Sequence, residues 1–384
     1  MTLMRILIRP LAAMLLALAI AACAAPDDDP AVDPAPEADS SSVIDPGSST
    51  DPGSSSDGGS ANDQGPEVIV FASRTDVVDW LKAEDWWGEE EHGEQLSVPC
   101  AMITGISERW RTAAQQMPVP EKKEIFYRLM LPLVMHANVM VLDRRARLDS
   151  MAATLADGAT LPAAELDWLR EVAVLLRIRK RETAEGLQPG DRDELRSIIE
   201  EALYKLDVIP PGLALGQAAY ESGYGTSRFA AQGNALFGQW TFGGEGLVPE
   251  QQRGNLGDHR IAAFDWPFDS VRGYYINLSS HPAYEDFRRL RAELKAAGKP
   301  VTSLALADGL IRYSERGQKY VDTLKGIIRV NKLGIADDAV FRDEPMRFIV
   351  GAEDEAAAET LRAEIESLRA SGELAKIVAR MRLE

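Results

Sequence analysis

Apolar residues recur at helical spacing along most of the chain and at strand spacing only near its two ends. Between Glu121 and Leu148, the residues Ile125, Phe126, Leu129, Leu133, Ala137, Met140 and Val141 share one helix face. Pro132 interrupts this run and predicts a kink or a division, because it lacks an N–H and crowds the preceding turn. A second helix is predicted over 162–178, with Leu166, Leu169, Val172 and Leu176 inward, and a third over 192–206. VIVFA (68–72) and MRFIVGA (346–352) read as strands. The pattern over 353–382 is a strong amphipathic helix interrupted at Ser371-Gly372, and Leu361, Ile365, Leu368, Leu374, Ile377 and Val378 line its face.

The stretch VIPPGLALGQAAYESGYGTSRFAAQGNALFGQW (208–240) carries the candidate chemistry. Pro210 and Pro211 suit a helix start, where the first N–H has no partner to lose. Leu213, Leu215, Ala218 and Ala219 make an apolar face, and Gly223 suits a left-handed stop. Glu221 therefore falls in the last turn of a buried helix. The negative end of the helix dipole and burial both disfavour its charge, so the carboxyl should hold a proton near neutral pH. Such a group suits general acid catalysis. Tyr220, Tyr224, Phe229, Phe237 and Trp240 follow as an aromatic set that fits the apolar faces of sugar rings, or an aromatic core.

Composition narrows the choice. The formal net charge of −18 argues against nucleic acid, whose phosphates attract basic surfaces. It also argues against electrostatic docking on anionic lipid. His92, His136, His259 and His281 lack metal-ligand spacing, so no metal site and no cofactor are expected. Cys100 reads as a small buried residue, with no His near it in sequence to make it a nucleophile.

The N-terminus reads as a targeting segment. Arg5 and Arg9 precede a short apolar run, Leu11–Ile20, and then Ile20-Ala21-Ala22-Cys23. This resembles a bacterial lipoprotein signal, which implies removal of residues 1–22 and lipidation of Cys23. Ala24 after the Cys implies sorting to the outer membrane, on its periplasmic side. Residues 23–65 are rich in Asp, Ser, Pro and Gly and read as a disordered tether, on the order of 35 Å end to end for about 40 residues.

QAAYESGYGTSRFAAQGNALFGQW resembles the signature of β-N-acetylglucosaminidases of glycoside hydrolase family 73, in particular the Bax-type branch. The blocks VPEQQR (248–253), AAFDWPFDSVRGYYINLSSHPAYEDFRRLR (262–291) and YSERGQKYVDTLKGII (313–328) resemble the same branch, as does KKEIFYRLMLPLVMHANVMVLDRRARL (122–148). The resemblance implies a mainly α, lysozyme-like fold (α+β) with a small β-hairpin lobe near 239–264. The expected organisation is an N-terminal helical region (66–192), a catalytic domain (193–335) and a C-terminal strand–helix extension (336–384).

It further implies a peptidoglycan hydrolase that cleaves glycan strands after N-acetylglucosamine, with Glu221 as the acid. Ser222, Tyr224, Asn234, Phe237, Trp240 and Tyr313 match motif positions expected to bind substrate, and Tyr320 matches a Tyr that orients or stabilises the reacting sugar. One position departs from the pattern: Arg260 stands where a hairpin Glu is expected. Asp258 is the candidate second catalytic group, with Glu245 and Glu250 as further options. The substrate's own acetamido group is an alternative nucleophile. Two other functions remain open, a lytic transglycosylase and a wall-binding lipoprotein with impaired catalysis.

Overall fold

The structure is a computed structural model and describes residues 67–88, 95–241, 246–248 and 260–380. The expected signal, Cys23 and the tether lie outside the described residues.

The chain opens as strand β1 (Glu67–Phe71), helix α1 (Arg74–Ala83), and strands β2 (Ser97–Val98) and β3 (Ala101–Ile103). The Ser73 hydroxyl accepts from the Asp76 N–H, and the Asp76 carboxylate accepts from the Ser73 N–H, a reciprocal cap that starts α1. Helices α2 (Glu108–Gln116), α3 (Val119–Ala156), α4 (Ala163–Leu175), α5 (Arg181–Glu185) and α6 (Arg192–Lys205) follow. Helix α3 runs unbroken through Pro132, against the expected division. Met130 to Met135 are all buried, and this packing offsets the roughly 3 kcal/mol that an internal proline costs.

The next segment comprises α7 (Pro211–Ser222), α8 (Arg228–Gly233), β4 (Trp240–Thr241), β5 (Gly246–Leu247), β6 (Arg260–Ala262) and α9 (Pro267–Ser280). After these come α10 (Glu285–Ala296), α11 (Ser303–Leu306) and α12 (Gln318–Val330). The small lobe is a three-stranded antiparallel sheet of order β4-β6-β5, with Trp240 opposite Ile261 and Leu247 opposite Ile261 on the other side. Helix α7 packs on α3, on α12 and on the turn at Leu333–Asp338. A Cβ on Gly212 would lie 2.2 Å from the Leu333 carbonyl oxygen, so only glycine allows this approach. Asp337 fastens the same end, accepting from the Gly212 N–H at 3.0 Å and the Ser303 N–H at 2.7 Å.

The chain ends with β7 (Val340–Phe341), β8 (Arg347–Gly351), α13 (Glu355–Ala370) and α14 (Glu373–Arg380). Strand β8 lies between β1 and β3, parallel to both, with Glu67 and Ala101 each opposite Arg347. Segments 67–103 and 347–351 thus build one sheet, and residues 67–103 add two further strands and a helix to the strand expected at 68–72. Arg347 ties this sheet to α1, donating to both oxygens of Glu84 at 2.5 and 2.8 Å. A single hydrophobic core joins this sheet to α3 and to the helices around α7.

Trp86 belongs to that core. It is buried, its Nε1 donates to the Arg128 carbonyl at 3.2 Å, and the Arg128 guanidinium lies 4.3 Å over its ring. At the C-terminus of α6, Arg291 donates to the carbonyls of Lys205 at 2.8 Å and Asp207 at 3.1 Å. The Asp207 carboxylate lies among Arg145, Arg291 and Lys295.

Candidate active site

Glu221 sits in the last turn of α7, which stops at Gly223 with φ 59°. A left-handed residue there costs a non-glycine residue strain, and Gly avoids it. The Glu221 side chain is half-buried and lies near Gly238; a Cβ on that glycine would be 3.9 Å from Oε2. Burial pushes the Glu221 carboxyl up to about 7, against a hydrogen bond from Tyr320 that favours the charged form. Burial is therefore the cause that raises the carboxyl.

The groups around the acid are phenols. Tyr320 stacks on Tyr313 at 5.6 Å and meets Tyr220 edge-on at 5.4 Å. Tyr313 lies 5.7 Å from Tyr284 and donates its hydroxyl to the Phe237 carbonyl at 3.1 Å. Phe237 in turn stacks on Tyr274 at 4.1 Å. Burial first, and then neighbouring phenols and Glu221, push Tyr274, Tyr313 and Tyr320 well above the usual phenol range. These hydroxyls stay neutral, so they supply hydrogen bonds without charge. Arg316 donates to the Tyr220 hydroxyl at the exposed rim.

Glu221, Tyr313, Tyr320 and Phe237 thus come together. Ser222 and Asn234, also predicted to bind substrate, serve the backbone. Ser222 is fully buried; its hydroxyl donates to the Ala218 carbonyl at 2.5 Å and accepts from the Gly225 N–H at 2.8 Å. Asn234 closes α8 at φ 50° and spends its amide on two loops. Its Oδ1 accepts from Ile106 N at 2.9 Å, and its Nδ2 donates to the carbonyls of Phe264 at 3.0 Å and Asp265 at 2.9 Å. Tyr224 turns toward α3, edge-on to Phe126 at 5.7 Å and Tyr127 at 5.9 Å. Trp240 holds a place in β4.

Asp258, Glu245 and Glu250 lie outside the described residues. Arg260 begins β6, opposite Thr241. Asp269 acts at the start of α9, where its carboxylate accepts from the Trp266 N–H at 3.2 Å.

Sequence reasoning missed Gln217 and Tyr274. Gln217 is fully buried; its Nε2 donates to the Tyr320 hydroxyl at 2.9 Å, and its Oε1 accepts from the Tyr274 hydroxyl at 2.6 Å. A signal existed, because Gln217 precedes Glu221 by four residues and so shares its helix face. The pairing of Cys100 with His136 was also hidden by sequence distance. The sulfur lies 3.8 Å from Nε2, and Cys100 is half-buried rather than buried. Burial holds the thiol high and lowers His136 to about 4, so neither partner ionises the other. Among the described residues, no group of His, Cys, Asp and Glu is arranged to hold a metal ion.

Comparison with known proteins bears on the same region. Residues 197–333 match the family model "Glucosaminidase", described as mannosyl-glycoprotein endo-beta-N-acetylglucosaminidase. The chain is 30% identical over 244 residues to "Protein bax" of Escherichia coli (strain K12), a match covering 61% of this chain and 82% of that relative. No solved structure matches the chain.

Proposed function

Because the chain belongs to the Bax-type glucosaminidase family of glycan hydrolases, we propose that it cleaves peptidoglycan glycan strands at the β-1,4 bond after N-acetylglucosamine. The observation that carries this reading is the placement of the Glu221 carboxyl at the end of α7 among buried phenols, where burial pushes it up to about 7. A protonated Glu221 gives its proton to the glycosidic oxygen as the C–O bond breaks. The carboxylate left behind accepts the Tyr320 hydrogen bond, the carbocation-like sugar is met by a second group, and a water then adds at the anomeric carbon while its proton returns to a carboxylate. That second group is Asp258 or the substrate's own acetamido oxygen. The acid works only while protonated, so activity falls as pH rises through about 7.

Arg260, standing where a catalytic Glu is expected, favours one second reading: a transglycosylase that uses Glu221 alone and releases an anhydro-sugar. Incubating the protein with cell-wall sacculi and identifying the released ends by mass spectrometry separates the two. N-acetylglucosamine reducing ends support hydrolysis, and anhydro-muramoyl ends support the transglycosylase. Release that survives Glu221→Gln would remove Glu221 from the chemistry. Binding to sacculi with no release by the parent protein would favour an impaired wall-binding protein.

The enzyme is further proposed to be held at the periplasmic face of the outer membrane by lipid on Cys23. Labelled fatty acid should enter the parent chain and not Cys23→Ala; label in the variant, or none in the parent, would refute the anchor.

A further inference from the structure

The Tyr320 hydroxyl can donate one proton, and its oxygen can also accept. Which neighbour receives that proton decides whether Tyr320 supports the Glu221 carboxylate. The buried amide of Gln217 bears on this choice. Its Nε2 faces the Tyr320 oxygen at 2.9 Å, and its Oε1 faces the Tyr274 hydroxyl at 2.6 Å. With Nε2 toward Tyr320, the phenol oxygen accepts from Gln217, and its O–H is left for Glu221. With the amide reversed, Tyr320 would spend its proton on Gln217 and Glu221 would lose it.

Tyr274 supplies the matching donor at the other end of the amide. Its hydroxyl reaches the amide oxygen, and its ring is held by stacking on Phe237 at 4.1 Å with only 10° between the planes. Gln217, Tyr274 and Tyr320 are each buried to within 1% relative exposure, so water cannot replace a lost partner cheaply.

We infer that Gln217 is a positioning residue for the acid: its amide, accepting from Tyr274 at Oε1 and donating to Tyr320 at Nε2, directs the Tyr320 hydroxyl proton onto the Glu221 carboxylate. The chain of donation runs from Tyr274 to Gln217 to Tyr320 to Glu221. It connects the Asn-Ala-Leu-Phe-Gly turn, through the Phe237 stack, to the acid on α7. Its catalytic meaning rests on the proposed role of Glu221, while its electrostatic meaning does not.

Among the described residues, the titratable groups that interact with Glu221 are Tyr320 on α12, Tyr313 in the turn before α12, Tyr274 on α9, and Tyr284. The cation described at the rim is Arg316, held on Tyr220. A titration of Glu221 therefore reads the phenol relay with no described cation in direct contact.

The test is a carboxyl-carbon NMR titration of Glu221 in the full chain, without substrate, with its resonance identified by loss in Glu221→Gln. Tyr320→Phe should raise the Glu221 titration by about one pH unit, the worth of one hydrogen bond to a charged group. Gln217→Leu should raise it by roughly half to one unit, and Tyr274→Phe by less. Tyr274→Phe removes a single hydroxyl and keeps the test open if Gln217→Leu fails to fold. On a Tyr320→Phe background, either change should add nothing, because both act through Tyr320.

In turnover, the relay variants should lower kcat about tenfold with KM unchanged, and the high-pH limb should move up with the titration. An unmoved Glu221 titration in the folded variants, or an equal shift with and without Tyr320, overturns the inference. Because the titration needs no turnover, a protein that releases no glycan fragments overturns only the proposed function.

Discussion

Asp207 and Glu221 are acidic side chains withdrawn from water in one core, and the protein drives their protons in opposite directions. Asp207, 7% exposed, is surrounded by Arg145, Arg291 and Lys295. Burial raises its pKa, but Arg291 and the Lys295 hydrogen bond overcome it, and the carboxyl lies below its ordinary value. Glu221 has phenols where Asp207 has cations, so burial prevails and the carboxyl rises to about 7. Burial is common to both regions; the charge of the partners sets the sign. The Asp207 region closes a helix end with a permanent ion cluster, and the Glu221 region keeps a transferable proton.

The largest effect that would test this contrast is on turnover. Glu221→Gln should lower glycan release by on the order of a thousandfold, the scale of a lost general acid, as read by fragment release from sacculi. Retained turnover would place the acid elsewhere and end the contrast. Asp207→Ala should act on stability instead, by about 3–5 kcal/mol, because Arg291 is left buried without its carboxylate. Urea unfolding checks this, with activity per folded molecule unchanged.

The pH dependence sharpens the comparison further. Glu221 has its pKa raised from 4.5 to about 7, so the native state holds the proton more tightly than the unfolded chain. Stability should decline from pH 4.5 to about 7, by about 3 kcal/mol from this group, and the decline should flatten in Glu221→Gln. Asp207 runs the other way. Its contribution is complete above its unfolded value of 3.8 and is lost as pH falls through its lower native value. The stability differences between parent and each single variant should slope in opposite directions with pH; slopes of equal sign would refute the difference in partners. The smallest effect belongs to Ser222→Ala, beside the acid in sequence yet turned into the backbone. It should cost about 1 kcal/mol of stability and leave KM unchanged.

Local signals made much of the fold legible. Pro210-Pro211 and Gly223 bracket α7, and Ser371-Gly372 separates α13 from α14, because caps and breaks act within a few residues. The predicted hairpin lobe is the β4-β6-β5 sheet. Of the two outcomes expected at Pro132, a kink or a division, the division did not occur, because propensity records the local cost of proline and not the packing that offsets it. Asn234 and Ser222 were read as substrate contacts from motif position. Their polar atoms proved to be engaged by Ile106, Phe264 and Asp265, and by Ala218 and Gly225, and no local pattern reports such partners.

The sequence by itself determined that one glutamate would end a buried helix, beside a glycine stop and an aromatic-rich turn. It also determined that each end of the chain would hold a strand. Tertiary structure decided that β8 would enter between β1 and β3, and that Tyr274, Tyr313 and Tyr320 would converge on Glu221. The reason is range. Helix caps and periodicity depend on neighbours a turn away, whereas a carboxyl's proton and a strand's partners depend on groups brought together from distant parts of the chain.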